Sequence, residues 1–179
     1  MTHAMRLICV GLPAALVGST SGYAVTYLTL EQAQAVLCPG AKLRPVDISL
    51  TADERKAITR ASGIRVRDAR LRGWHDDASG VWFLVDQVIG KHEYITYALA
   101  VTSEGAAAGL EIMDYRETYG GEVRDKKWRA QFDRKTAASP LRLDEDIKNI
   151  TGATLSCRNI TDGVKRLLAT HAIVLAKRP

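Results

Sequence analysis

Cysteine, aromatic residues, long apolar runs and blocks of like charge are all scarce in this chain, and each shortage removes a class of protein. The three cysteines, Cys9, Cys38 and Cys157, are far apart, with no CxxC pair and no histidine at ligand spacing. A structural metal site is therefore not expected. Aromatic residues make up 6% of the chain, and Arg and Lys alternate with Asp and Glu around a net charge of +5. A nucleic-acid binder would carry a clustered basic stripe, so no nucleic-acid partner is expected either. Internal repeats and low-complexity tracts are missing. No Ser–His–Asp set or carboxylate pair stands out, and His92 reads as a surface or turn residue with no nucleophile beside it.

What is present begins with an export pattern. Met1 to Arg6 is short and weakly basic, Leu7 to Gly18 is apolar, and the small residues Gly22 and Ala24 fit cleavage after Ala24. The apolar run contains Pro13 and is well short of the roughly 20 residues that cross a bilayer comfortably. Residues 1–24 are thus expected to be a cleaved signal peptide. An uncleaved inner-membrane anchor is the alternative, and an apolar first helix of the domain is a third reading. The expected compartment is the periplasm or another extracytoplasmic space. Cys9 would leave with the signal, and Cys38 and Cys157 would leave room for one disulfide, although the sequence does not bring them together.

The remaining chain suits one domain with a small appended piece. Residues 25–64 read as an N-terminal helical cover and residues 65–179 as the main domain. Thr29 caps a short helix reaching Leu37, ended by Pro39-Gly40, and Thr51-Ala-Asp-Glu54 is a capping box opening a helix that closes at Gly63. Strand patterns follow at Arg65–Arg72, Val81–Ile89, Tyr94–Thr102 and Ala106–Tyr115, with turns at Asp76–Gly80 and Ser103–Gly105. Hairpin connections make these an antiparallel meander. Asp125–Arg134 reads as a short helix bearing Trp128 and Phe132, and Cys157–Lys177 as a long one. The expected fold class is α+β, an antiparallel meander sheet with N-terminal helices and a C-terminal helix packed on it.

The segment with the most chemistry is Thr151-Gly152-Ala153-Thr154-Leu155-Ser156, small and hydroxyl residues directly ahead of the last helix. Backbone N–H groups at a helix start are unpaired and face outward with the positive end of the helix dipole, a ready site for phosphate. Gly152 has no Cβ to obstruct an approach, Ala153 keeps the same surface clear, and Ser156 adds a hydroxyl donor or a cap. Thr154 offers a hydroxyl that can be esterified, and Arg158 is near enough in sequence to supply a countercharge. An ordinary Thr–Gly capping signal is the plainer reading of the same letters. A dinucleotide fingerprint is excluded, because no further glycines follow at its spacing and no parallel βαβ pattern surrounds the segment.

TGATLS resembles the signature of the FMN-binding domain family, which includes flavin-carrying components of the sodium-pumping NADH:quinone reductase (Nqr) and of the Rnf complex. Gly90-Lys91-His92-Glu93 is similar to the family's turn ahead of the meander, and Glu117-Thr118-Tyr119-Gly120-Gly121 to its "ET-x-G" loop; together the likeness spans about residues 81–170. The resemblance implies FMN as cofactor, joined by a phosphoester to Thr154, with Thr151 as the leading hydroxyl residue of the tetrad. It implies a flavin transferase of the ApbE type as modifying partner, with FAD as donor and Mg²⁺. Glu117 and Thr118 are candidates for lining the flavin site. Tyr115, Tyr119, Trp128 and Phe132 are candidates either for flanking the ring or for the core. One departure is Lys148, which stands where members commonly have an aspartate three residues before the tetrad; Asp146 lies two residues earlier.

The expected function is an exported flavoprotein in extracytoplasmic electron transfer, served by a membrane redox complex or a quinone- or cytochrome-linked donor. A carrier, or one component of a larger redox system, fits better than a stand-alone enzyme. A flavin-dependent reductase of a small acceptor is the first alternative, and a cofactor-free adaptor with the same fold is the second.

Overall fold

A computed structural model describes residues 25–178; the signal peptide expected over residues 1–24, and Cys9 within it, lie outside them. The fold is α+β, built on a six-stranded antiparallel sheet ordered β1-β6-β5-β4-β3-β2. Its strands are β1 (Val25–Thr26), β2 (Arg44–Ser49), β3 (Arg70–His75), β4 (Trp82–Ile89), β5 (Tyr94–Val101) and β6 (Ala107–Tyr115). Helices α1 (Leu30–Leu37) and α2 (Ala52–Ser62) precede the meander; a short turn of helix, α3 (Lys126–Arg129), and the long α4 (Thr154–Ile173) follow it.

Both early helices start as their sequences predict. Thr29 accepts from the Gln32 N–H while the Gln32 side chain accepts from the Thr29 N–H, and Thr51 and Glu54 repeat the exchange. Each reciprocal pair satisfies two helix-end donors. Two strands are additions to the expected four. Among the described residues β2 is an edge strand that pairs only with β3, so Pro45 costs the sheet no ladder bond. It buries Ile48 completely but leaves most of its other residues exposed, which hides the strand signal. β1 pairs with β6 at the opposite edge. Residues 25–64 therefore supply both edge strands as well as the two helices. The strand expected at Arg65–Arg72 forms later, at Arg70–His75, where β2 and β4 pair with it on both sides.

The sheet has two apolar faces. Trp82, Leu84, Val88, Ile95, Tyr97 and Leu99 face α2, α4 and the segment that connects β6 to α4, whereas Phe83, Val85, Ala98, Ala100 and Met113 face α1. Alternation along β4 and β5 produces this split. Cys38 and Cys157 are buried on opposite faces, and both are free thiols. No disulfide joins them.

One irregularity controls the functional end of the sheet. The β5–β6 register shifts between Thr96 and Tyr97, which pair with Asp114 and Ile112 and leave Met113 as the extra residue. A bulge of this kind reverses which face the following residues take. Ile112 and Tyr115 accordingly both lie on the face that packs against α4 and the connection to it, although an unbroken strand would turn one of them away.

His171, on α4, is buried with both ring nitrogens unpartnered among the described residues. Burial, with the nearby His75, holds its imidazole below the ordinary histidine value. The unfolded chain takes up this proton near pH ~6.5, whereas the folded protein resists it. Stability is thus full above that pH and declines as pH falls below it. Urea midpoints should drop between about pH 7 and about pH 5, and His171→Leu should flatten that slope. An unchanged slope in the variant would rule His171 out as its source.

Candidate functional site

Three loops meet at one end of the sheet: the β4–β5 turn at Gly90–Glu93, the loop following β6 at Arg116–Gly121, and the tetrad Thr151–Thr154 that opens α4. The Ala153 N–H donates to the Ile150 carbonyl at 3.0 Å, closing a tight turn with Gly152 in its third position at φ 87°. Only glycine adopts that conformation without strain. A Cβ at Gly152 would meet nothing within 4 Å, so the outer side of the turn is open.

The long helix begins three residues earlier than its apolar pattern suggests. Thr154 is its first residue, and no side chain caps it. The half-buried Thr154 hydroxyl accepts from Asn149 Nδ2 at 3.1 Å, which fixes its direction. Thr151 and Gly152 are exposed, whereas Ala153 is buried. Arg158 is exposed one turn further along the same face as Thr154, where its charge can offset an anion at the helix start.

Ser156 lies elsewhere than the open side of the turn. It is buried, with its hydroxyl 3.2 Å from that of Tyr115, and it neither caps the helix nor faces the turn's approach. The Tyr115 hydroxyl donates to the Tyr119 carbonyl at 2.5 Å, so this one phenol connects the loop after β6 to the first turn of α4. Burial pushes the Tyr115 phenol above its ordinary value and keeps it protonated.

Glu117 joins the loop after β6 to the β4–β5 turn. Its carboxylate accepts from the backbone N–H groups of His92 at 2.5 Å and Glu93 at 3.0 Å. Burial pushes the Glu117 carboxyl up, but the backbone N–H groups of Glu93, His92 and Lys91 outweigh it and hold it below the usual range. A Cβ at Gly90 would lie 2.5 Å from Glu117 Oε1. The GK turn and the ET loop are thus two halves of one contact, with glycine required for the close approach. Thr118 is exposed beside it.

Gly120 and Gly152 both sit at positive φ, but their surroundings differ. A Cβ at Gly120 would lie 2.7 Å from the Tyr115 hydroxyl and 3.0 Å from the Ala153 Cβ. Gly120→Ala should destabilise the protein by about 1–3 kcal/mol beyond the backbone penalty. Gly152→Ala should cost that penalty alone, about 1 kcal/mol. Urea unfolding compares them, and equal losses would mean that the Gly120 contact is not made in solution.

The aromatic candidates separate. Trp128 and Phe132 are 5% and 0% exposed and pack edge to face in the core, while Tyr119 is 82% exposed. Only Tyr119 is free to meet a ring from outside. Sequence reasoning passed over Asn149, which orients Thr154, and Asn159, whose Nδ2 donates to the carbonyls of Ile89 at 2.6 Å and Gly90 at 3.2 Å. It also passed over Leu155, Ile89 and Tyr94, large apolar side chains exposed near these loops. A run of apolar strand residues gives no hint of which end stays uncovered.

Asp146, two residues ahead of Lys148, is engaged within the connection that leads to the tetrad. Its carboxylate accepts from Lys135 Nζ at 2.8 Å and from the N–H groups of Leu141 and Arg142. It thereby holds a connection in which Arg134, Leu141 and Asp144 all take positive φ. The exposed Lys148 is tied through its backbone, its N–H to Gln131 and its carbonyl to Trp128 Nε1.

Fold and site together define a small α+β domain that presents a hydroxyl and an open glycine turn at an uncapped helix start, with exposed apolar side chains around it. Residues 90–169 match the FMN-binding domain family, and this match supports a flavoprotein with FMN as its cofactor. No curated protein matches the chain significantly. The residues present fit the group, since the open side of Gly152 and the uncapped N–H groups suit a phosphate, and Leu155 and Tyr119 suit a flat apolar ring.

Proposed function

We propose that this flavoprotein is exported, carries FMN covalently on Thr154, and serves in electron transfer outside the cytoplasm. The observation that carries this reading is the Thr154 hydroxyl, held by Asn149 at the uncapped start of α4 beside an unobstructed glycine turn. A flavin transferase of the ApbE type would join the Thr154 oxygen to the riboflavin-bearing phosphorus of FAD, with AMP leaving. The resulting phosphoester keeps one negative charge, and the helix start stabilises it by about 0.3–1 kcal/mol. Arg158 adds to that from the next turn. Bound FMN supplies the one- and two-electron chemistry. The chain's own part is to hold the phosphate at Thr151–Thr154 and to keep the three loops in register through Glu117 and Tyr115. A covalent tether suits a compartment in which a dissociated cofactor is lost by diffusion.

Lys148 is compatible with attachment, because its backbone, and not its side chain, holds the segment ahead of the tetrad. The partners that fit are a membrane redox complex or a quinone- or cytochrome-linked donor, with the chain either released from its signal or anchored by it. The test is the intact mass of exported protein made together with a flavin transferase. An increment of one FMN less one water supports the reading, and an unmodified, colourless protein sinks it. Stopped-flow reduction without steady turnover on small acceptors would mark a carrier; sustained turnover would mark a reductase.

A further inference from the structure

Beside the flavin turn the structure forms a second concavity. A cleft of about 390 Å³ lies between the segment that follows α2, the end of β4, and the middle of α4. That is within the range of about 300–1,000 Å³ typical of small-molecule sites. Much of one wall comes from residues 64–71, outside the part of the chain that matches the FMN-binding domain. Its lining includes Val66, Leu71 and Val88, so a ligand there would meet apolar surface.

The charge in the cleft divides into a closed part and an open part. Arg166 donates to Asp86 Oδ2 at 2.5 Å, and the buried Tyr97 hydroxyl donates to the same oxygen at 3.0 Å. This group satisfies itself. Arg65, Arg67 and Arg70 are exposed at the cleft and form no salt bridge among the described residues. Two carboxylates oppose them, the exposed Asp68 and the half-buried Asp162, which makes no hydrogen bond there. Burial holds the Asp162 carboxyl above its ordinary value, against the pull of Lys165, Arg158 and Arg166, and this lessens its opposition to an anion.

We propose that this cleft is a binding site for a small organic carboxylate, its apolar body on the Val66–Val88 floor and its head on Arg65, Arg67 and Arg70. Guanidinium forks match a carboxylate through paired hydrogen bonds, and these three have no carboxylate engaged on them among the described residues. A flat acidic protein surface would reach the rim arginines but leave the apolar floor uncovered, so the concave shape favours a small molecule. The cleft borders the flavin loops at Ile89, Tyr94 and Asn159, but its arginine wall lies on the segment after α2 and does not depend on attachment at Thr154.

Saturation-transfer NMR with 2-naphthoate, and with neutral 2-naphthalenemethanol as control, tests the proposal on the full chain. The carboxylate should bind saturably, and the neutral analogue about tenfold more weakly. Arg67→Gln with Arg70→Gln should weaken 2-naphthoate about tenfold, whereas Asp162→Asn should tighten it severalfold by removing a like charge. Circular dichroism verifies that these variants fold. Absence of saturable binding, equal binding of the neutral analogue, or no change in the arginine variant overturns the proposal. So does binding that disappears once FMN is attached, because the cleft would then belong to the flavin; attachment, read by mass, stands or falls separately.

Discussion

Thr154→Ala is expected to abolish the FMN mass increment completely in protein produced with a flavin transferase. The hydroxyl is the atom that forms the ester, and no other group in the tetrad combines its setting. Thr151 is exposed, with no partner to fix its hydroxyl among the described residues. Ser156 is turned inward against Tyr115. Thr154→Ser should retain the increment at reduced yield, since it keeps the oxygen but loses the methyl group that restricts its rotamer. Thr151→Ala should be modified normally. An increment that survives in Thr154→Ala, or is lost in Thr151→Ala alone, would move the attachment point and undo the assignment.

The second large effect concerns stability. Phe132→Ala should destabilise the protein by about 3–5 kcal/mol, the usual loss when a fully buried phenyl leaves a cavity. Phe132 packs edge to face on Trp128, with ring centroids 5.2 Å apart, beneath the connection that runs to the tetrad. Arg129 holds the same connection to β6 through its ion pair with Glu111 and its bond to the Leu110 carbonyl at 2.6 Å. Chemical unfolding gives the stability loss, and the flavin absorption spectrum of the folded protein should stay as in the parent. A shifted spectrum without a stability loss would restore Phe132 as a ring-flanking residue. Both that reading and core packing were open from sequence, because a buried aromatic and a stacking aromatic look the same in a string of letters.

Local chemistry was the legible part. The cap at Thr29, the capping box at Thr51 and the hairpin turn at Asp76–Gly80 depend on residues a few positions apart, and they form as written. The meander strands β4, β5 and β6 were visible because dense apolar and β-branched runs are bounded by turn residues. The edge strands β1 and β2 were not. Among the described residues each pairs on one side only, and β2 buries too little to leave an alternating pattern. The start of α4 was set three residues too late, since its first residues, Thr154 to Ser156, lack a continuous apolar face. Glycine, threonine and serine there signal a turn and a helix start equally well.

The sequence by itself determined the α+β class, the tetrad at a helix start, and the likeness to a flavin-binding family, because propensity, capping and short motifs act over a few residues. Tertiary structure alone decided how the three motif pieces meet. A bulge at Met113 turns Tyr115 toward Ser156, Glu117 closes on the backbone of His92 and Glu93, and Asn149 aims the Thr154 hydroxyl. Most of these contacts join residues far apart in the chain, and all depend on register, chain direction and side-chain reach. Those are set only when the sheet has paired and α4 has packed against it.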